Sequence, residues 1–227
     1  MTQPDNTTPH NSSNYDEQVR KVIPYYDFFH AETINLIKAA CPQPKKWLDT
    51  GCGTGTLIEK AAPQFPNTHF VLCDPSPQML NVAKQKLQRL PNISFLEVAP
   101  TENLGNLKTR FDVITAIQSH HYLLPQRRVE VTKTCYRLLA KKGVYVTFEN
   151  IRSITEVGTE IGKENWRQFE IRSGKTVEAA KTHLQRFGVD YFPITVAEHL
   201  ALLRENGFST VELLWYSVMQ AGFYAVK

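Results

Sequence analysis

The chain has 227 residues, of which 42% are hydrophobic and 21% charged, enough for one α/β domain with a modest insertion or cap. No apolar run approaches the roughly 20 residues a membrane span needs, so no membrane partner is expected. The net charge of +4 permits an acidic or nucleic-acid partner but does not argue for one.

Met1–Asn14 is polar and rich in Thr, Asn, Ser and Pro, without the apolar core of a secretory signal; it reads as a disordered tail. Cys41, Cys52, Cys73 and Cys135 form no C-x-x-C pair, which favours small buried residues in a reducing, cytoplasmic setting over zinc or disulfides. From Tyr15 to Ala40 the apolar spacing predicts two helices, broken near Pro24. Trp47-Leu48 closes a buried strand, and Asp49-Thr50-Gly51-Cys52-Gly53-Thr54-Gly55 follows, leading into a helix over Thr56–Pro63. Glycines here let a ligand approach the main chain, and the following helix offers unpaired N–H groups that suit an anion. The dinucleotide pattern G-x-G-x-x-G counted from Gly51 fails at Thr56. His69–Asp74 is a second short buried strand ending in an acid. That acid, about 20 residues past the loop, is placed to hydrogen-bond a ribose diol, with an ordinary helix cap as the plainer alternative.

Asp-x-Gly-x-Gly-x-Gly at Asp49–Gly55, together with Asp-x-Ser-x-x-Met-Leu-x-x-Ala at Asp74–Ala83, resembles the class I S-adenosylmethionine (SAM)-dependent methyltransferases. The resemblance implies SAM as cofactor and S-adenosylhomocysteine as product. It also implies a Rossmann-like α/β fold with a seven-stranded, mostly parallel sheet, one antiparallel strand and helices on both faces. Asp49 then accepts from the ammonium, the Gly51, Gly53 and Gly55 loop holds the methionine end, and Asp74 grips the ribose. Cys52, Pro75 and Met79 lie in the two matching stretches and join the cofactor set. The leading helices over 15–40 become a cap above the cleft, so Tyr25 and Tyr26 face either the methyl group or only their packing neighbours.

A helix is expected over Gln78–Leu90 and a third strand over Ile93–Val98. The superfamily usually places an adenine-binding aspartate soon afterwards. Ala99 stands near its place here, so Thr101, Glu102 or backbone groups inherit that role. Phe111–Ile117 is a near-continuous apolar run, as a central parallel strand should be. Ligands in open α/β sheets bind beyond strand carboxyl ends, which puts Gln118 and Ser119 along the methionine part of the cofactor. The adjacent His120-His121 pair cannot point one way on a regular element, so His120 is assigned to substrate contact. Small-molecule methyltransferases of this type commonly carry a histidine matching His121, which makes it a base or orienting group; simple packing is the alternative. No third ligand at metal spacing accompanies the pair, so no metal is expected.

Pro125–Leu139 reads as a helix with a stop and turn at Lys141-Lys142-Gly143, before a strand over Val144–Phe148. Glu149 at its end is a second base candidate or a solvated strand end. Residues 151–190 are too long for a simple connection and read as a helical lid or a surface elaboration. Within them Arg152, Trp166 and Arg167 are candidate substrate contacts, with core packing equally open for the tryptophan. A last helix over Thr195–Asn206 and a closing strand pair over 210–226 complete one domain, 15–227. The closing residues Gly207-Phe208, Trp215-Tyr216, Gly222 and Ala225-Val226-Lys227 also resemble carboxy-SAM synthase. The reading is an enzyme moving a methyl group from SAM to an O, N, S or C atom of a small-molecule acceptor, either monomeric or as a homodimer. A carboxy-SAM synthase-like or tRNA-modifying enzyme and a non-catalytic SAM-binding protein are its rivals.

Overall fold

The computed structural model describes residues 14–227. The tail expected over 1–14 lies outside them apart from Asn14.

Seven strands form one sheet in the order β3-β2-β1-β4-β5-β7-β6. They are β1 (Lys46–Thr50), β2 (His69–Cys73), β3 (Ile93–Phe95), β4 (Phe111–Ile117), β5 (Leu139–Asn150), β6 (Thr210–Ser217) and β7 (Gln220–Val226). The first five are mutually parallel where they pair. Only β7 runs antiparallel to its neighbours, lying between β5 and β6. The alternation of side chains along a strand divides the core in two. Trp47, Leu72, Val113 and Val146 face one side, against α1 (Tyr15–Val22), α2 (Tyr26–Ala40), α3 (Thr56–Ala61) and Trp166 of α6 (Glu156–Arg172). Leu48, Val71, Ile114 and Tyr145 face the other, against α5 (Pro125–Leu138) and α8 (Val196–Glu205). Between them α4 spans Pro77–Leu87 and α7 spans Val177–Gln185. No helix among the described residues is long and apolar enough to cross a membrane.

Two boundaries differ from the sequence reading. Lys141-Lys142-Gly143 is not a free turn but an irregularity inside β5, where pairing jumps from Phe111↔Leu139 to Val113↔Val144. Lys142, at φ +63°, takes the bend, and its amide bonds the Lys227 carbonyl at 3.0 Å. The third strand is only three residues long, half-buried at the sheet edge, because after Leu96 donates to Leu72 the chain leaves the ladder. The break near Pro24 is present: α1 ends as Ile23 N–H caps onto Val19, and Tyr25 at φ +58° turns the chain into α2.

Candidate active site

The strand order reverses between β1 and β4, and a cavity of about 270 Å³ opens beyond their carboxyl ends, where open α/β sheets bind ligands. Its floor is the loop after β1. Gly51 sits at φ +63°, and a Cβ there would fall 2.6 Å from the Ser119 Cβ, so only glycine lets the loop pass the end of β4. Asp49 lies at one end of the cavity, 2% exposed. A chain of donors runs into it: Trp47 Nε1–H donates to Thr115 Oγ1 at 2.9 Å, and the Thr115 hydroxyl donates to Asp49 Oδ1 at 2.6 Å. Burial nevertheless pushes the Asp49 carboxyl up to about 7, against the pull of that hydrogen bond. The Asp74 carboxylate also lines the cavity. It accepts the Gly53 and Ser76 amides, each at 2.8 Å, which fixes both oxygens in orientation.

Gln118 and Ser119 leave β4 along the cavity wall. Gln118 is held at φ +55°, a strained setting for a side-chain-bearing residue. Gln118 Nε2 and Ser119 Oγ are buried with no hydrogen-bond partner among the described residues. Buried polar atoms left unmatched beside a cavity fit a polar ligand that completes them. Cys52, Pro75 and Met79 line the same space.

The roof comes from α1 and α2, through Tyr15, Tyr26 and His30. Asp16 ties α1 down: its Oδ1 accepts the Thr54 and Thr56 hydroxyls at 2.6 and 3.0 Å, and its Oδ2 accepts Lys86 of α4. The sequence reading missed Tyr15, His30, Thr54, Thr56, Leu57, Ile117 and Tyr122, all lining residues. Only His30 carried a signal, as a polar residue four positions after Tyr26 on the same helical face.

Several of the expected site residues lie away from the cavity. Tyr25 points outward, 54% exposed, edge-on to Phe28 and Trp215, because its left-handed backbone turns its neighbour Tyr26 inward instead. His121 and Glu149, the two proposed bases, are each about 1% exposed and outside the cleft. His121 Nδ1 meets Glu149 Oε2 at 2.8 Å, and the His120 amide, His121 amide and Thr147 hydroxyl also donate to that carboxylate. Burial alone would raise the Glu149 carboxyl; the His121 hydrogen bond and the charges around it bring it to about 2. The pair anchors the turn at His120–Tyr122 and does not line the cavity. His120 is buried beside it, between the Tyr145 hydroxyl at 3.1 Å and Thr101 at 3.4 Å. Thr101 is turned to the Thr50 hydroxyl at 2.6 Å, and Glu102 is ion-paired with Arg127, so neither lines the cavity. Gly55 is needed for packing, since a Cβ there would meet Leu87 at 2.9 Å. From residues 151–190, none lines the cavity. Trp166 is fully buried and donates to the Val22 carbonyl at 2.6 Å, Arg152 pairs with Glu198, and Arg167 pairs with Glu164 one helical turn away.

Strand order and glycine turn are those of the class I SAM-dependent methyltransferase fold, and the comparisons support SAM as the cofactor. Residues 48–145 match the family model described as a methyltransferase domain. Over 208 residues the chain is 27% identical to a carboxy-S-adenosyl-L-methionine synthase of Trichodesmium erythraeum, covering 88% of this chain and 79% of that one. Over 82 residues it is 37% identical to a malonyl-[acyl-carrier protein] O-methyltransferase of Ilyobacter polytropus, covering 36% of this chain and 30% of that one. In structure it is similar to a plantazolicin methyltransferase solved with a triazolic desmethylPZN analogue and S-adenosylhomocysteine. The TM-score is 0.70 at 15% identity, over 95% of this chain and 89% of that one. Against three further structures of the same fold the chain spans 58–63% of their length.

Proposed function

We propose that the cleft takes SAM with its ammonium on Asp49, its ribose hydroxyls on Asp74, and its tail along the Gly51–Gly53 turn, Gln118 and Ser119, and that the acceptor is a small uncharged molecule. SAM supplies a methyl group already activated on a sulfonium, so the chain's task is alignment and exclusion of water. Tyr15, Tyr26, Tyr122 and Ile117 form a wall suited to that. The observation that carries the acceptor class is the cleft lining itself: among the described residues it holds no Lys or Arg. Burial and the nearby Lys60 charge hold His30 down at about 3, so it adds no cation at neutral pH. An acceptor bearing a phosphate or carboxylate would find no cation in the lining and would compete with the cofactor's own carboxylate for the neutral donors there. Methyl transfer from radiolabelled SAM to neutral small acceptors, against phosphorylated or carboxylated analogues of the same molecules, tests this; a preference for the charged set contradicts it.

A second reading, a carboxy-SAM synthase-like enzyme, is favoured by the near full-length likeness to those relatives. The lack of a cleft cation to meet an added carboxyl weighs against it. The mass of the adenosyl ligand copurified with the protein separates the two. We further infer one domain over 15–227, in which 15–40 caps the cleft and 151–190 braces that cap from behind through Trp166. The exposed Tyr25 and Phe28, packed on the half-buried Trp215 of edge strand β6, support a homodimer, which sedimentation would read directly. Four free cysteines support a reducing, cytoplasmic setting.

A further inference from the structure

His30 is 1% exposed, lines the cleft, and is assigned no part in the reading above. It shares the inward face of α2 with Tyr26, the two rings meeting edge to face at 4.8 Å. From α3, Lys60 brings Nζ to 3.4 Å from His30 Nδ1, and Lys60 is itself anchored on Asp27 Oδ1 at 2.5 Å. This is the one hydrogen bond of the His30 ring among the described residues. An ammonium only donates, so Nδ1 is the acceptor and the ring proton sits on Nε2. The geometry therefore offers an N–H donor at the cleft and rules out the free Nε2 lone pair that a base would need.

We propose that His30, fixed in the Nε2–H tautomer by Lys60, receives the α-carboxylate of the cofactor's amino-acid tail. The inference rests on the cofactor reading above. Asp49 takes the ammonium, and in an amino acid the carboxylate stands one carbon away from it. Asp49 and His30 line the same cavity, with His30 packed edge to face on Tyr26. No Lys or Arg lines the cavity; Lys60 stands one imidazole behind the wall at His30, and Lys86 stands behind Thr54 and Thr56. A neutral ring at the wall meets the anion without burying a cation beside the sulfonium, and Lys60 strengthens its N–H as a donor.

The test is calorimetric binding of three probes to the full chain: S-adenosylhomocysteine, its decarboxylated analogue, and 5′-methylthioadenosine. His30→Ala is expected to lose about tenfold or more on S-adenosylhomocysteine, the worth of one charge-assisted hydrogen bond, and nothing on the two probes without a carboxylate. His30→Gln, which restores a donor, should recover part of the loss. Lys60→Met, on a partly exposed side chain that tolerates replacement, should lose severalfold on S-adenosylhomocysteine alone. Equal losses on all three probes, or intact S-adenosylhomocysteine binding with a raised KM for the acceptor, overturn the proposal. A wild-type chain that binds none of the probes overturns the cofactor reading itself, and this inference with it.

Discussion

Asp49→Asn should make the protein more stable and a poorer binder at the same time. The carboxyl is buried at the end of β1 with the Thr115 hydroxyl as its one hydrogen-bond donor, and its pKa rises from 3.8 to about 7. An acid whose folded pKa is raised holds its proton more tightly folded than unfolded. Its ionisation therefore erodes stability as pH climbs from about 4 to about 7, and the full cost is present above that. At about 1.4 kcal/mol per pH unit, the gap corresponds to about 4 kcal/mol. Asparagine keeps an oxygen for Thr115 and carries no charge. At pH 8 the variant should melt higher, by roughly 2–4 °C for each kcal/mol recovered in a chain of this size. Near pH 4 the two proteins should melt together. The same variant loses the ammonium partner, so S-adenosylhomocysteine affinity should fall about tenfold or more. In the wild type, binding near pH 7 should release a proton and tighten as pH rises. Melting curves from pH 4 to 8, paired with calorimetry in buffers of different ionisation enthalpy, read all of this. A variant that melts below the wild type at pH 8, or a difference independent of pH, refutes the reasoning.

Three further outcomes are expected. Gly51→Ala forces a Cβ against Ser119 at a positive φ; it should cost roughly 1–3 kcal/mol and weaken S-adenosylhomocysteine binding at least tenfold by calorimetry. Trp166→Phe leaves the Val22 carbonyl unpaired and should cost roughly 1–2 kcal/mol in urea unfolding, with kcat and KM unchanged. Glu149→Gln breaks a buried charge cluster and should cost roughly 3–5 kcal/mol at pH 7. Because Glu149 is depressed from 4.5 to about 2, its contribution is present above 4.5 and fades toward pH 2. The deficit should therefore shrink in acid, while the pH–rate profile near neutrality keeps its shape.

The framework was legible where one physical demand outweighs the rest. The apolar runs at Trp47-Leu48 and Phe111–Ile117 read as buried strands and pair in parallel, and a turn rich in glycine between strand and helix declares a close approach. Asp74's place at the cavity was readable because a strand end fixes the direction of the next side chain. What stayed hidden depended on rotation about a single turn. Tyr25 and Tyr26 are indistinguishable until the left-handed residue between α1 and α2 sends one out and one in. His120 and His121 follow a strand that points at the ligand, but the tight turn they occupy rolls both under β5 toward Glu149. Trp166 reads identically as substrate wall or core, since only the partner of its N–H tells them apart.

The most direct measurement is a crystal structure of the protein with S-adenosylhomocysteine. The ribose hydroxyls should lie within hydrogen-bond distance of the Asp74 carboxylate and the ammonium against Asp49, with the Gly51–Gly53 backbone along the tail. A nucleoside bound away from the carboxyl ends of β1 and β2, with these groups facing only solvent, would contradict the account.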